Sequence, residues 1–351
     1  MTMAGQPPAL LGYEHTHFAE VKADGSDYHG ILDPESEYVR ALKFYYEANQ
    51  MGLVDPESTT QNYDTMFAKY QGGQVLLSWW PWLGQSAFNT EKNMADGKGF
   101  QLVPMQDLKV FSRGAPVYGG DLIFGIGSKA EDPARIAAFI DWLYSPEGVE
   151  ANSSDNAGAG PMGLTWEDGP DGPEFTDFGR EAILEGGEAE VPAEFGGGTY
   201  KDGGSTLNIS GVLQNDVDPR TGQPYNYKLW PSYLKTAANP LTEDWSEHVG
   251  GAKTTMEYLQ SNDKLLIAPG ASFVTPTDTS EIETLRNQVK ATIVEHSWKM
   301  AFAKDEAEFE ALLTEMQETA NGLGYEKVLE FDMTSAEAKI AAQEAVANEF
   351  G

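Results

Sequence analysis

Residues 71–85, Gln-Gly-Gly-Gln-Val-Leu-Leu-Ser-Trp-Trp-Pro-Trp-Leu-Gly-Gln, run from a Gly-Gly break through a short apolar stretch to three tryptophans within four positions around a proline. Residues 75–77 read as a strand, and Pro81 cannot continue one, so Trp80 and Trp82 are expected on the turn where it ends. Tryptophan is large and carries an N–H that wants a partner, so it is usually well but not completely buried. Aromatic planes at a strand end suit a flat, weakly polar ligand such as a sugar ring. Covering one such face removes on the order of 100 Å² from water, worth roughly 2 to 3 kcal/mol at about 25 cal/mol per Å². A hydrophobic plug under a loop accounts for the same residues equally well.

Outward from this stretch, helix and strand signals alternate. Residues 38–53 form an amphipathic pattern with Tyr38, Leu42 and Tyr45 on one face, preceded by the start signal Asp33-Pro34-Glu35-Ser36. A second helix over 62–70 presents Tyr63, Met66, Phe67 and Tyr70. A strand over 121–126 leads through Asp132-Pro133 into a helix expected to turn Ile136, Phe139, Ile140 and Leu143 inward, with Trp142 in packing. This order predicts an α/β fold with a largely parallel sheet. From about 150 to 265 glycine, proline and acidic residues dominate, and a loop-rich region with short helices is expected. Beyond Pro269, Ile282, Leu285, Val289, Ile293, His296 and Met300 recur at helical spacing, and Phe309, Leu312, Leu313 and Met316 mark a further helix.

The 351 residues suffice for two domains, and with 40% hydrophobic and 11% aromatic residues the chain is too apolar for disorder. Lys and Arg number 23 against 55 Asp and Glu, a formal charge of −32. A nucleic-acid partner is therefore excluded, since a polyanion would meet net repulsion. The acidity fits a salt-adapted or a secreted protein. No cysteine is present, which rules out disulfides, thiolate metal sites and a lipid-anchor Cys within these residues. The first residues lack the charged and apolar regions of a signal peptide.

The order of pieces resembles a known family. Tyr38-Val-Arg-Ala-Leu-Lys-Phe-Tyr-Tyr with Gly52-Leu-Val-Asp-Pro-Glu, then Asn62-Tyr-Asp-Thr-Met-Phe-Ala-Lys-Tyr-Gln-Gly-Gly, then Trp79-Trp-Pro-Trp come first. Tyr118-Gly-Gly-Asp-Leu-Ile-Phe-Gly-Ile, Asp132-Pro-Ala-Arg-Ile-Ala-Ala-Phe-Ile-Asp-Trp-Leu-Tyr-Ser-Pro-Glu-Gly and Gly322-Leu-Gly-Tyr-Glu-Lys-Val-Leu follow. In this order they resemble the extracellular solute-binding proteins of ABC importers, family 1, in the sugar-binding branch of the maltose binders and the longer lipoprotein-type oligosaccharide binders. The resemblance implies a periplasmic-binding-protein-like (class II) fold of two α/β lobes closing on a ligand. It places residues 1–118 and 266–351 in the C-terminal lobe and 119–265 in the N-terminal lobe, and implies that an N-terminal part is missing. It further implies a carbohydrate ligand, a membrane permease as partner, an extracellular or cell-surface location on the periplasmic side, no cofactor, and a monomer in the complete form.

By the same resemblance, Trp82 matches a stacking tryptophan and Trp79 or Trp80 an aromatic pair of the long branch. Strand alternation keeps all three from facing one way, and Trp80 and Trp82 are favoured. Tyr118, Gly120 and Asp121 sit where the chain would cross between lobes, Asp121 being able to accept from hydroxyls; a hinge without ligand contact is the alternative. Trp166, Trp230 and Phe273 complete the candidate ligand-binding set. His15 and His17 would share a strand face with His29 nearby, but without third and fourth ligands no metal site is assigned. Asn215-Asp-Val-Asp-Pro-Arg-Thr-Gly spaces oxygens like a calcium loop yet lacks its terminal Glu, and reads as an Asx-type turn. No nucleophile elbow, P-loop or zinc-helix signature supports catalysis. A carbohydrate-active enzyme using the same cleft, or a truncated non-binding remnant, are the competing readings.

Overall fold

Helix starts in this chain are written by short polar side chains. Ser36, Asn62, Thr90, Asp132, Thr176, Thr254, Thr279 and Asp305 each accept a hydrogen bond from a first-turn amide, satisfying donors that have no partner inside the helix. At Asn62 the bonding is reciprocal, the Thr65 hydroxyl accepting from the Asn62 amide and closing a capping box. The computed structural model describes residues 6–103, 109–112, 124–152, 158–170, 172–185, 188–203, 216–270 and 273–350. The chain divides into two units, Met1–Gly119 with Pro240–Gly351, and Gly120–Asn239.

The first unit is built on helices Ser280–Ala301, Glu306–Gly322 and Tyr325–Phe350 packed with Glu37–Gln50. Leu42, Val289, Ile293, Met300, Phe309, Met316 and Val328 interdigitate in its core. A three-stranded antiparallel meander, β1 (Tyr13–Thr16), β2 (Ala19–Lys22) and β3 (Tyr28–Gly30), lies against this bundle. Arg286 fixes one corner, pairing with Asp278 and with the buried Asp332, whose carboxylate also accepts from the Phe18 amide. Two satellite clusters complete the unit, one around Tyr70, Leu83 and Ala87 and one around Trp245, Val249 and Ala252.

The second unit holds helices Pro133–Leu143 and Pro146–Asn152, the hairpin Trp166–Gly169 with Gly172–Phe175, and short helical turns. Its core is the aromatic cluster Trp166, Phe175, Tyr227 and Trp230 with Ala159.

Several expectations are corrected. The largely parallel sheet is absent among the described residues: parallel pairing is confined to Val110–Ser112 with Leu265–Ile267, and the other two sheets are antiparallel. Residues 75–77 form no strand, and Leu76 is 89% exposed. Residues 124–126 likewise form no strand. In the helix Pro133–Leu143 only Leu143 of the four residues expected inward is buried; Ile136 and Phe139 are exposed, as is Trp142, which stacks on Phe139 at 5.9 Å. Periodicity shows that a helix has an apolar face, not that an element exists to cover it.

Candidate functional site

The helix Tyr63–Gln71 ends where Gly73, at φ +68, turns the chain back. The Tyr70 hydroxyl then donates to the Leu77 carbonyl at 2.8 Å. The Ser78 hydroxyl donates to the Trp80 carbonyl at 2.6 Å and accepts from its amide at 3.2 Å. These bonds hold residues 77–80 in a fixed bend. Trp80 occupies the N-cap position of the helix Pro81–Phe88 and Pro81 its first turn, where a missing N–H costs nothing. The tryptophans therefore sit at a helix head, not on a strand end.

Their environments differ. Trp79 is half-buried and stands edge-on against Phe44 at 5.4 Å and Tyr45 at 6.3 Å, both from the helix Glu37–Gln50. Burial pushes the Tyr45 hydroxyl up to about 12, partly offset by a hydrogen bond with the Trp79 side chain. Phe44 is 42% exposed, so Trp79 and Phe44 form an aromatic surface with an exposed edge. Trp80 turns toward Tyr70, Leu83 and Ala87 and is half-buried there. Trp82 is the second residue of its helix, its side chain outside the described set. Phe44 was not singled out from the sequence; it lies off the buried stripe of its helix, on the exposed side, and the run Phe44-Tyr45-Tyr46 was its only signal.

Trp166 and Trp230 are 1% and 2% exposed, pack on each other at 5.6 Å, and spend their indole N–H groups on the carbonyls of Gly160 and Pro224 at 2.9 and 2.6 Å. They are core residues of the second unit with no ring face left for a ligand. Phe273 is half-buried in an irregular stretch. Tyr118, Gly120 and Asp121 lie outside the described residues, as does Gly119. Trp245 is buried and donates to the Leu102 carbonyl at 2.7 Å.

Two polar clusters replace the weighed metal sites. His17 occupies the turn between β1 and β2 at φ +57, so it does not share a face with His15. His15 and His29 instead flank Glu20, with Nε2 to carboxylate distances of 2.8 and 2.9 Å. In the 216–225 turn, Asp218 accepts from the Arg220 amide at 2.8 Å, an Asx-type turn as expected, and the Arg220 guanidinium bridges Asp218 and Glu150, both at 2.7 Å. Burial pushes the Glu150 carboxyl up to about 7 despite Arg220, while hydrogen bonds from Arg220 outweigh burial and hold Asp218 low. Among the described residues no group of three His, Asp or Glu is placed to hold a metal ion. No described helix is long and apolar enough to cross a membrane.

No family model and no curated protein matches the chain. Among solved structures, 95% of the chain is similar to the alginate-binding protein AlgQ2, determined without calcium ion, at 14% identity and a TM-score of 0.48. The match spans 62% of that protein's length, and a likeness of this size assigns neither function nor ligand.

Proposed function

We propose that the chain is the carbohydrate-capturing component of an ABC importer, binding an oligosaccharide non-covalently and passing it to a membrane permease on the extracellular side. The observation that carries the reading is the half-buried Trp79 beside the exposed Phe44, braced by Tyr45 and by the Ser78 and Tyr70 hydrogen bonds. A rigid aromatic at the surface loses little entropy when a sugar ring covers it, and stacking adds to the area term. The order of the motifs from Tyr38 to Gly322 supports the family part of the reading.

Capture requires only differential affinity for the closed state, with no chemical step. The role is that of a binder and not an enzyme. Calorimetry of the full chain against a panel of neutral and acidic oligosaccharides tests this, with chromatography of the same mixtures for cleavage. Saturable binding without products is expected; turnover that scales with protein concentration would overturn the reading in favour of a carbohydrate-active enzyme.

A further inference from the structure

Cross-strand register places His15, Glu20 and His29 in one row, His15 opposite Glu20 on β1 and β2, and Glu20 opposite His29 on β2 and β3. Glu20 is fully buried at the centre of this row. Its carboxylate accepts four hydrogen bonds: Oε1 from His15 Nε2 and the Tyr38 amide, each 2.8 Å, and Oε2 from His29 Nε2 at 2.9 Å and the Glu37 amide at 2.8 Å. The two amides belong to the first turn of the helix Glu37–Gln50. One carboxylate thus ties three strands to a helix head. An ionised carboxylate only accepts, so both imidazoles present Nε2–H to it, and on His29 the Nδ1 atom remains to take up a proton.

His29 Nδ1 lies 3.6 Å from Asp27 Oδ2, so a second proton on this ring would sit between two carboxylates. The groups facing the row are mostly anionic or neutral. Asp27 and Asp33 come from the turns flanking β3, and Tyr13 from β1 donates to Asp27 at 2.6 Å and packs on His29 at 5.7 Å. Glu37 and the buried Tyr38 come from the helix, with Arg40 engaged by Glu37 at 3.3 Å. Lys22 follows Glu20 by two positions on β2, Glu14 on β1 pairs with Lys339, and Tyr28 on β3 bonds Glu337.

We propose that the His15–Glu20–His29 row is a proton-operated latch, in which protonation of His29 locks the meander onto the head of the Glu37–Gln50 helix and deprotonation slackens it. The hydrogen bond to Glu20 first, then the charges of Glu20, Asp27 and Asp33, raise His29 above its ordinary value against the opposing effect of burial. A group raised in the folded state contributes stability that is complete below its unfolded pKa, near 6.5, and lost as pH rises through the folded value. Glu37, raised by burial, acts with the same sign at lower pH.

The test is an NMR pH titration of the full chain following the His29 ring, combined with hydrogen exchange of the Tyr28–Gly30, Glu37 and Tyr38 amides, corrected for intrinsic rates. His29 titrating above 6.5, with protection of these amides falling as it deprotonates, is the expected result. His29→Gln keeps a donor to Glu20 without a titrating ring, and should remove the fall in protection across that window. A His29 midpoint at or below 6.5, or an unchanged profile in H29Q, would overturn the latch; should H29Q fail to fold, the wild-type titration decides by itself. Sugar binding does not enter either readout, so the latch stands or falls apart from the proposed function.

Discussion

The helical bundle of the first unit and the aromatic cluster of the second solve burial in different ways. In the bundle, Val289, Met300, Met316 and Val328 recur along three helices and are fully buried, so each turn of helix adds to one continuous core. In the second unit, Trp166, Phe175, Tyr227 and Trp230 concentrate their burial in one cluster, and the buried Glu150 and Asp218 carboxylates share the exposed Arg220. The helix Pro133–Leu143 of that unit meanwhile shows Ile136, Phe139 and Trp142 to solvent. Aromatic mass therefore does not identify a ligand surface; exposure and hydrogen-bond use of each ring do.

The comparison can be broken first at Phe309, which packs on Tyr46 at 5.2 Å in the bundle. Phe309→Ala is expected to cost about 3–5 kcal/mol. Hydrogen exchange should register the loss in helices Ser280–Ala301 and Glu306–Gly322 and leave the Trp166–Phe175 hairpin unchanged; equal loss in both units would show them to be one cooperative body.

Glu150 gives the next largest effect. Its carboxyl is raised from 4.5 to about 7, so its contribution is present below about 4.5 and lost as pH rises through about 7. Glu150→Gln should flatten the decline of second-unit stability between pH 5 and pH 8 by about 1–2 kcal/mol, since one pKa unit corresponds to about 1.4 kcal/mol. Urea unfolding at a series of pH values measures it, and parallel curves for both proteins would remove Glu150 from the account. The smallest effect is expected on the exposed helix face, where Phe139→Ser should shift stability by no more than about 0.5 kcal/mol. A large loss there, in the same unfolding assay, would mean that the face is covered.

Helix boundaries were legible in the sequence because both of their determinants are local. The stripe of Tyr38 and Leu42, the apolar pattern over 62–70 and the period from Ile282 to Met300 each lie within a few turns, and the structure places helices there. The Asx turn at Asp218 was legible for the same reason. Strand partners were not, because apolarity such as that of residues 75–77 is local while pairing is set by distant segments, as between Val110–Ser112 and Leu265–Ile267. Within the candidate site, Trp79 was readable as an aromatic near a turn, but Phe44 and Tyr45 reach it from some 35 residues upstream by tertiary packing. The burial of Trp166 and Trp230 was not legible because a tryptophan that stacks on sugar and one that fills a core have the same local sequence. What separates them is the destination of the indole N–H, here the Gly160 and Pro224 carbonyls.

The most direct measurement is calorimetric titration of wild type and Trp79→Ala with whichever oligosaccharide the panel identifies, alongside thermal unfolding of both proteins. Trp79 is half-buried at the surface, so removal of its ring is expected to weaken binding by about 2 kcal/mol, roughly thirtyfold, with the unfolding transition close to that of wild type. Unchanged affinity in a folded Trp79→Ala protein would contradict the claim that the Trp79–Phe44 surface is where the ligand binds.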